Sequence, residues 1–231
     1  MSAREPTPTG RAFAALLAKD LRVELRTLQS IPAMLLFAVA AFVLFRFGLD
    51  RTQLEGSLAA GVLLATLLFA AVLAINRLFV AELEQGGIDA IRLAPVDGSA
   101  LLAAKATALV VYLALLEIVA VPAFAILFLD DWGGLPALFG VLLLADVGLA
   151  AIGTLISSMA THSRARDVLV PLILLPLLIP VMIAAAGAAE PLLAAGGPQY
   201  DDVGRWLLVL ALYDAVFALV AWAVYDFVLE D

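Results

Sequence analysis

The chain has 231 residues, 65% of them apolar and only 15% charged, with a mean hydropathy of +1.09. Soluble domains carry about 25% charged residues, so this composition excludes a water-soluble protein; high apolar content, aperiodic glycine and a lack of cysteine exclude disorder, collagen and a disulfide-stapled module. The net charge of −8, from 21 acidic and 13 basic residues, argues against a nucleic-acid partner, which needs clustered Lys and Arg.

Residues 1–31 read as a polar tail with an amphipathic stretch. Over 13–28, Phe13, Leu17, Leu21, Leu25 and Leu28 recur at helical spacing while Lys19, Arg22 and Arg26 line another face. The spacing predicts a helix lying on the inner leaflet, held mainly by its apolar stripe. Asp20 and Glu24 are expected on its charged face, where they offset attraction to anionic lipid.

Apolar runs follow at 32–49, 57–75, 100–129, 135–157, 168–189 and 206–229. A helix needs about 20 apolar residues to cross about 30 Å of hydrocarbon, so 32–229 is expected to be a six-helix transmembrane domain. The third run begins early enough for Lys105 to snorkel to the interface. No cleavable signal peptide is expected, because the first apolar run lies behind a long polar stretch.

Lys and Arg in alternating connections set the orientation. Arg4, Arg11, Lys19, Arg22, Arg26, Arg77, Arg92, Lys105, Arg164 and Arg166 fall on one side, and Arg46, Arg51 and Arg205 on the other. The positive-inside rule then places both termini in the cytoplasm of a multi-pass protein of the cell membrane, with the lipid bilayer as solvent. Trp132, Tyr200 and Trp206 are expected at the outer interface as an aromatic belt.

The connection at 76–98 is longer than antiparallel helices require. Phe79, Leu83 and Ile91 share a helical face, Glu82, Glu84, Asp89 and Arg92 point elsewhere, and Gly86-Gly87 divides the run into two short helices. Pro95-Val96-Asp97-Gly98 ends it as a turn, with Ser99 expected to cap the next helix. Such an excursion is either a docking surface or an interfacial hairpin that covers the bundle.

The string Arg77-Leu78-Phe79, Glu82-Leu83-Glu84-Gln85-Gly86-Gly87-Ile88-Asp89, Leu93-Ala94-Pro95 and then Lys105 resembles the pattern of ABC-2-type permease subunits, most closely the CcmB family. Leu175-Pro176-Leu177-Leu178-Ile179-Pro180 resembles the proline-containing run of the same family, so the likeness extends over nearly the whole chain. It implies an all-α membrane protein of ABC-2-type fold: six transmembrane helices, an amino-terminal amphipathic interfacial helix and a cytoplasmic coupling helix within 76–98. It also implies a haem exporter permease of cytochrome c maturation, paired with a CcmA-like ATP-binding subunit and associated with CcmC-like and CcmD-like membrane proteins. In such a complex ATP hydrolysis is linked to release of a haem-loaded chaperone. The resemblance carries Glu82, Glu84, Gly86, Gly87, Asp89, Arg92 and Pro95 over as contacts to the ATPase. A second copy of the chain is expected, because an ABC-2 transporter needs two membrane halves. The alternative is the permease of another ABC-2-type exporter, for lipid, polysaccharide or drug.

Neither Lys19 nor Lys105 follows a glycine-rich loop, so nothing in the chain cradles a nucleotide, and ATP hydrolysis is expected on a separate subunit. An enzyme is not expected. Tyr213-Asp214 lacks the Gly-x-Gly-Asp companion of an aspartyl intramembrane protease, and neither His-Glu-x-x-His nor Gly-x-Ser-x-Gly occurs. His162, the single histidine, has no second axial partner for haem, so no cofactor and no metal is expected on this chain, leaving haem as a substrate of the complex.

Glu117, Asp146 and Asp214 fall inside apolar runs, with no basic residue equally deep. Charge is expensive there, so these acids either lie on a substrate path or hydrogen-bond to a neighbouring helix. Pro171, Pro176 and Pro180 each remove a backbone donor from the fifth run and kink it, as a gating hinge or as a fixed packing feature.

Overall fold

The computed structural model describes residues 9–79, 98–160 and 165–230, apart from the side chains of 166 and 225–230. The positions expected to meet an ATPase, Glu82, Glu84, Gly86, Gly87, Asp89, Arg92 and Pro95, lie outside the described residues, as does His162.

The described chain is all-helical: α1 (Thr9–Thr27), α2 (Ser30–Gly48), α3 (Gly56–Arg77), α4 (Gly98–Phe128), α5 (Leu135–Met159), α6 (Arg166–Leu192) and α7 (Val203–Glu230). Six of them, α2 to α7, contain spans long and apolar enough to cross a membrane. Each of these six starts and stops within three residues of its apolar run. Because these helices are apolar on every side, lipid and not an aqueous face surrounds them. Ser99 stands inside the first turn of α4, not before it, since the helix already begins at Gly98.

The bundle is centred on α3, α4 and α5. α5 packs against α3, α4, α6 and α7, and α3 also packs against α2 and α6. The α3 span is 67% buried, against 17% for α2 and for α7, so the last two present most of their surface to lipid. Close approach is made by small residues, as expected where no aqueous hydrophobic effect drives helices together. Gly153 of α5 admits Ile75 of α3, Gly148 admits Asp214 of α7, and Gly187 of α6 lies beneath the Trp206 indole. Phe42 of α2 joins Phe124 and Phe128 of α4, with ring centroids 5.4 and 6.5 Å away.

Two expectations change at the helix faces. Trp206 is packed over Gly187 between α6 and α7, while Trp132 and Tyr200 are exposed, so only the latter pair has the exposure of an interfacial belt. Asp20 and Glu24 point into the bundle from α1, which lies along α4, and Leu25 is 70% exposed. Polar groups on neighbouring elements need those two carboxylates more than water does.

α6 is continuous from Arg166 to Leu192 through Pro171, Pro176 and Pro180, and also through Pro191. α4 likewise contains Pro122. At the end opposite α1, Leu54 N–H donates to the Phe128 carbonyl at 3.0 Å and Gly56 N–H to the Leu193 carbonyl at 2.7 Å. Gly56 adopts φ +53°, a left-handed conformation that costs glycine nothing, and so lets the α2–α3 connection reach across to α6.

Candidate functional site

The base of the 80–97 connection is held by a buried lysine. Lys105 is 2% exposed; its Nζ donates to Asp20 Oδ1 at 3.3 Å, stands 3.2 Å from Oδ2, and donates to the Leu78 carbonyl at 3.0 Å. It also lies 5.1 Å from the centre of the Phe79 ring, within cation–π range. Leu78 follows the last residue of α3, so the ammonium sits where the helix dipole is negative and carbonyls lack partners. Lys105 therefore does not snorkel to the interface. One side chain ties α1, the end of α3 and the start of α4 together, and Tyr112 adds a hydrogen bond from its hydroxyl to the Asp20 carbonyl at 3.2 Å.

Glu24 makes the complementary arrangement at a helix start. Its Oε1 accepts from Ser30 N–H at 2.8 Å and from Ile31 N–H at 2.9 Å, although Glu24 belongs to the preceding helix. Two of the unpaired donors at the α2 amino terminus are thereby satisfied by a carboxylate where the dipole is positive. Glu24→Ala is expected to lower stability by about 1–2 kcal/mol, the cost of losing a good amino-terminal cap. Thermal unfolding of the purified chain in detergent measures it, and an unchanged midpoint would show that water replaces the cap freely.

The intramembrane acids occupy one level. Glu117 stands eleven residues from the Phe128 end of α4, Asp146 eleven from the Leu135 end of α5, and Asp214 eleven from the Val203 end of α7. At 1.5 Å per residue this is about 16 Å, half of a ~30 Å hydrocarbon layer. Glu117 and Asp146 line a common void of about 10 Å³, with Leu64, Leu116, Leu142 and Met182 among its other walls. Glu117 Oε2, Asp146 Oδ2 and both carboxyl oxygens of Asp214 are buried without a hydrogen-bond partner among the described residues. Asp214 lies against Gly148, two residues from Asp146 on α5 and so about 200° around that helix.

A larger groove of about 560 Å³ opens at the end away from α1, bordered by Glu55, Glu190, Gln199, Asp202 and Trp206. Its carboxylates suit a cationic or neutral visitor and repel an anionic one. No cluster of three or more His, Cys, Asp or Glu in metal-binding arrangement occurs among the described residues.

The structure thus brings Glu117 and Asp146 together and places Asp214 on the other side of α5. Sequence reasoning missed the roles of Asp20, Glu24 and Gly148. A signal for the first was present in the isolated lysine of the third apolar run, since a cation that near the hydrocarbon requires an anion from elsewhere.

Comparison with known proteins gives a consistent picture. The model of the family described as "CcmB protein" matches residues 11–228. A protein named "Heme exporter protein B" from Rhodobacter capsulatus is 30% identical over 178 residues, covering 74% of this chain and 79% of its own. Proteins of the same name from Paracoccus denitrificans and Pseudomonas aeruginosa are each 28% identical over 213 residues, covering 90% of this chain and 94% and 95% of theirs.

Proposed function

The chain belongs to the CcmB family, and from that premise we propose that it is the membrane permease subunit of an ABC transporter complex for haem export and delivery in cytochrome c maturation. The observation that carries this reading is the family match across residues 11–228 on a bundle with six membrane-spanning helices. A multi-pass permease without a nucleotide-binding loop needs a motor made by another polypeptide, here a CcmA-like ATPase. CcmC-like and CcmD-like membrane proteins and a second copy of the chain complete the assembly, and release of a haem-loaded chaperone is its ATP-dependent output. An exporter of lipid, polysaccharide or drug is less well supported, because the relatives above share the name "Heme exporter protein B".

The bundle end that carries α1 faces the cytoplasm in this reading, by the excess of Lys and Arg there. The 76–98 connection then meets the ATPase through Glu82, Glu84, Gly86, Gly87, Asp89, Arg92 and Pro95. Lys105 supports this role, since it binds the Leu78 carbonyl and the Phe79 ring at the root of that connection and passes a displacement there to α1 and α4. Pro171, Pro176 and Pro180 are the kink positions of α6, each removing a backbone donor from a helix that continues through them. Glu117, Asp146 and Asp214 form the polar level at the bundle centre, and the void there is far too small for haem. The acidic rim of the outer groove is likewise unfavourable to haem propionates. Cargo moving with this subunit therefore travels along a surface shared with another chain, and not through the core of one copy.

The test is co-purification. Replacing Gly86-Gly87 with leucines, or both Glu82 and Glu84 with lysine, is expected to reduce recovery of the ATPase subunit at least tenfold while membrane insertion is retained. Equal recovery with the unsubstituted chain would count against the docking assignment.

A further inference from the structure

Glu117 and Asp146 are each 3% exposed, they line the same void, and neither takes part in an ion pair among the described residues. The other groups that face the void from α3, α4, α5 and α6 are apolar. From α7, Asp214 reaches only the opposite side of α5, at Gly148. α2 carries Arg46 at the far end, where it donates to the Arg51 carbonyl at 3.1 Å. Lys105 lies twelve residues nearer the α1 end of α4, about 18 Å away along the helix, and is engaged with Asp20.

Three occupants of this site differ in their chemistry. A metal cation such as Mg²⁺ or Ca²⁺ takes six or more oxygen ligands, whereas the carbonyls of these helix interiors are already used by the helices and the void of about 10 Å³ has room for one water at most. Two bare carboxylates facing each other in an apolar wall carry an uncompensated desolvation cost. Two separately protonated acids would each donate to a neighbouring helix, yet Glu117 Oε2 and Asp146 Oδ2 have no partner among the described residues. One proton between two carboxyls lowers the buried charge from two to a single one shared over both groups, and one water beside it gives the unpartnered oxygens a hydrogen-bond donor.

We propose that Glu117 and Asp146 form a single proton-binding site at the bilayer midplane, holding one proton and one water between the α4 and α5 carboxyls. The inference stands apart from the permease reading, because it concerns the chain's own interior and holds whatever the cargo. A proton exchanged there moves through about half of the membrane field, so its occupancy responds to potential as well as to pH.

Infrared difference spectroscopy of the full chain in lipid tests it, comparing the protein with its E117Q/D146N variant between neutral and alkaline pH, where exposed carboxylates no longer titrate. The expected difference is one neutral carboxylic-acid carbonyl band, sensitive to exchange into D₂O and lost on alkalinisation. Carboxylate bands alone at every pH, two neutral carboxyl bands that never titrate, or a band displaced by sodium or potassium would each overturn the proposal. Should the variant fail to insert, the unsubstituted chain grown with ¹³C-glutamate is read instead: all eight glutamates carry the label, the exposed ones stay ionised over this pH range, and the single variant Glu117→Asp, which keeps a carboxyl, assigns the titrating band. An isotope-shifted glutamate band that changes between neutral and alkaline pH supports the site, and a constant glutamate spectrum overturns it.

Discussion

Lys105→Met is expected to lower stability by about 3 kcal/mol, near the lower end of the ~3–5 kcal/mol that removal of one partner from a buried ion pair costs. Methionine keeps the apolar stem and deletes the ammonium, so the Leu78 carbonyl loses its donor and Asp20, 7% exposed, loses its inner counter-charge. Lys19 remains 3.1 Å from Asp20 on the solvent side, which is why the upper end of the range is not reached. Adding Asp20→Asn removes the stranded charge, so the double variant is expected to recover part of the loss. That recovery distinguishes charge pairing from simple packing in a double-mutant cycle. Thermal unfolding followed by loss of helicity reads Lys105→Met, Asp20→Asn and the double variant, and losses in the two single variants that add up in the double variant would show that the pair contributes no coupling.

Gly134→Ala is the second change with a large expected effect. Gly134 precedes α5, and a Cβ there would overlap the carbonyl oxygen of Leu192, a backbone atom at the end of α6 that has no rotamer by which to withdraw. The helix ends must move apart, at an expected cost of about 3 kcal/mol, the upper part of the range for overpacking. Gly140 is the matched control on α5, since a Cβ there meets nothing within 4 Å. Gly140→Ala is therefore expected to be neutral or to stabilise by about 0.5–1 kcal/mol through reduced backbone entropy of the unfolded chain. Midpoints measured side by side decide the matter: if the two alanines behave alike, the α5–α6 approach is looser than the structure describes.

The resemblance to the CcmB family, stated from the Arg77 to Pro95 string and the Pro176 to Pro180 run, agrees with the family match over 11–228. The acids at 117, 146 and 214 were legible as intramembrane groups because each interrupts an apolar run, but their grouping was not. A helix apolar on all sides has no periodic stripe to reveal its rotation, so nothing in the sequence tells which neighbour Asp146 faces. α1 was misread in a related way. Its leucine stripe divides, with Leu17 and Leu21 packed against the bundle and Leu25 and Leu28 exposed, while Asp20 and Glu24 turn inward although charge in an amphipathic pattern is ordinarily hydrated.

What the sequence by itself determined is the number, length and limits of the spanning helices. Lipid offers backbone N–H and C=O groups no partners, so a sufficiently long apolar run has no alternative to the helix. Only the tertiary structure decided which polar groups meet: Asp20 with Lys105 across 85 positions, Glu24 with the start of α2, and Glu117 with Asp146 around one void. Those pairings depend on the rotation and neighbours of each helix, set by glycine-sized gaps and by the need of each buried charge for a partner, and neither is written in the hydropathy of a single run.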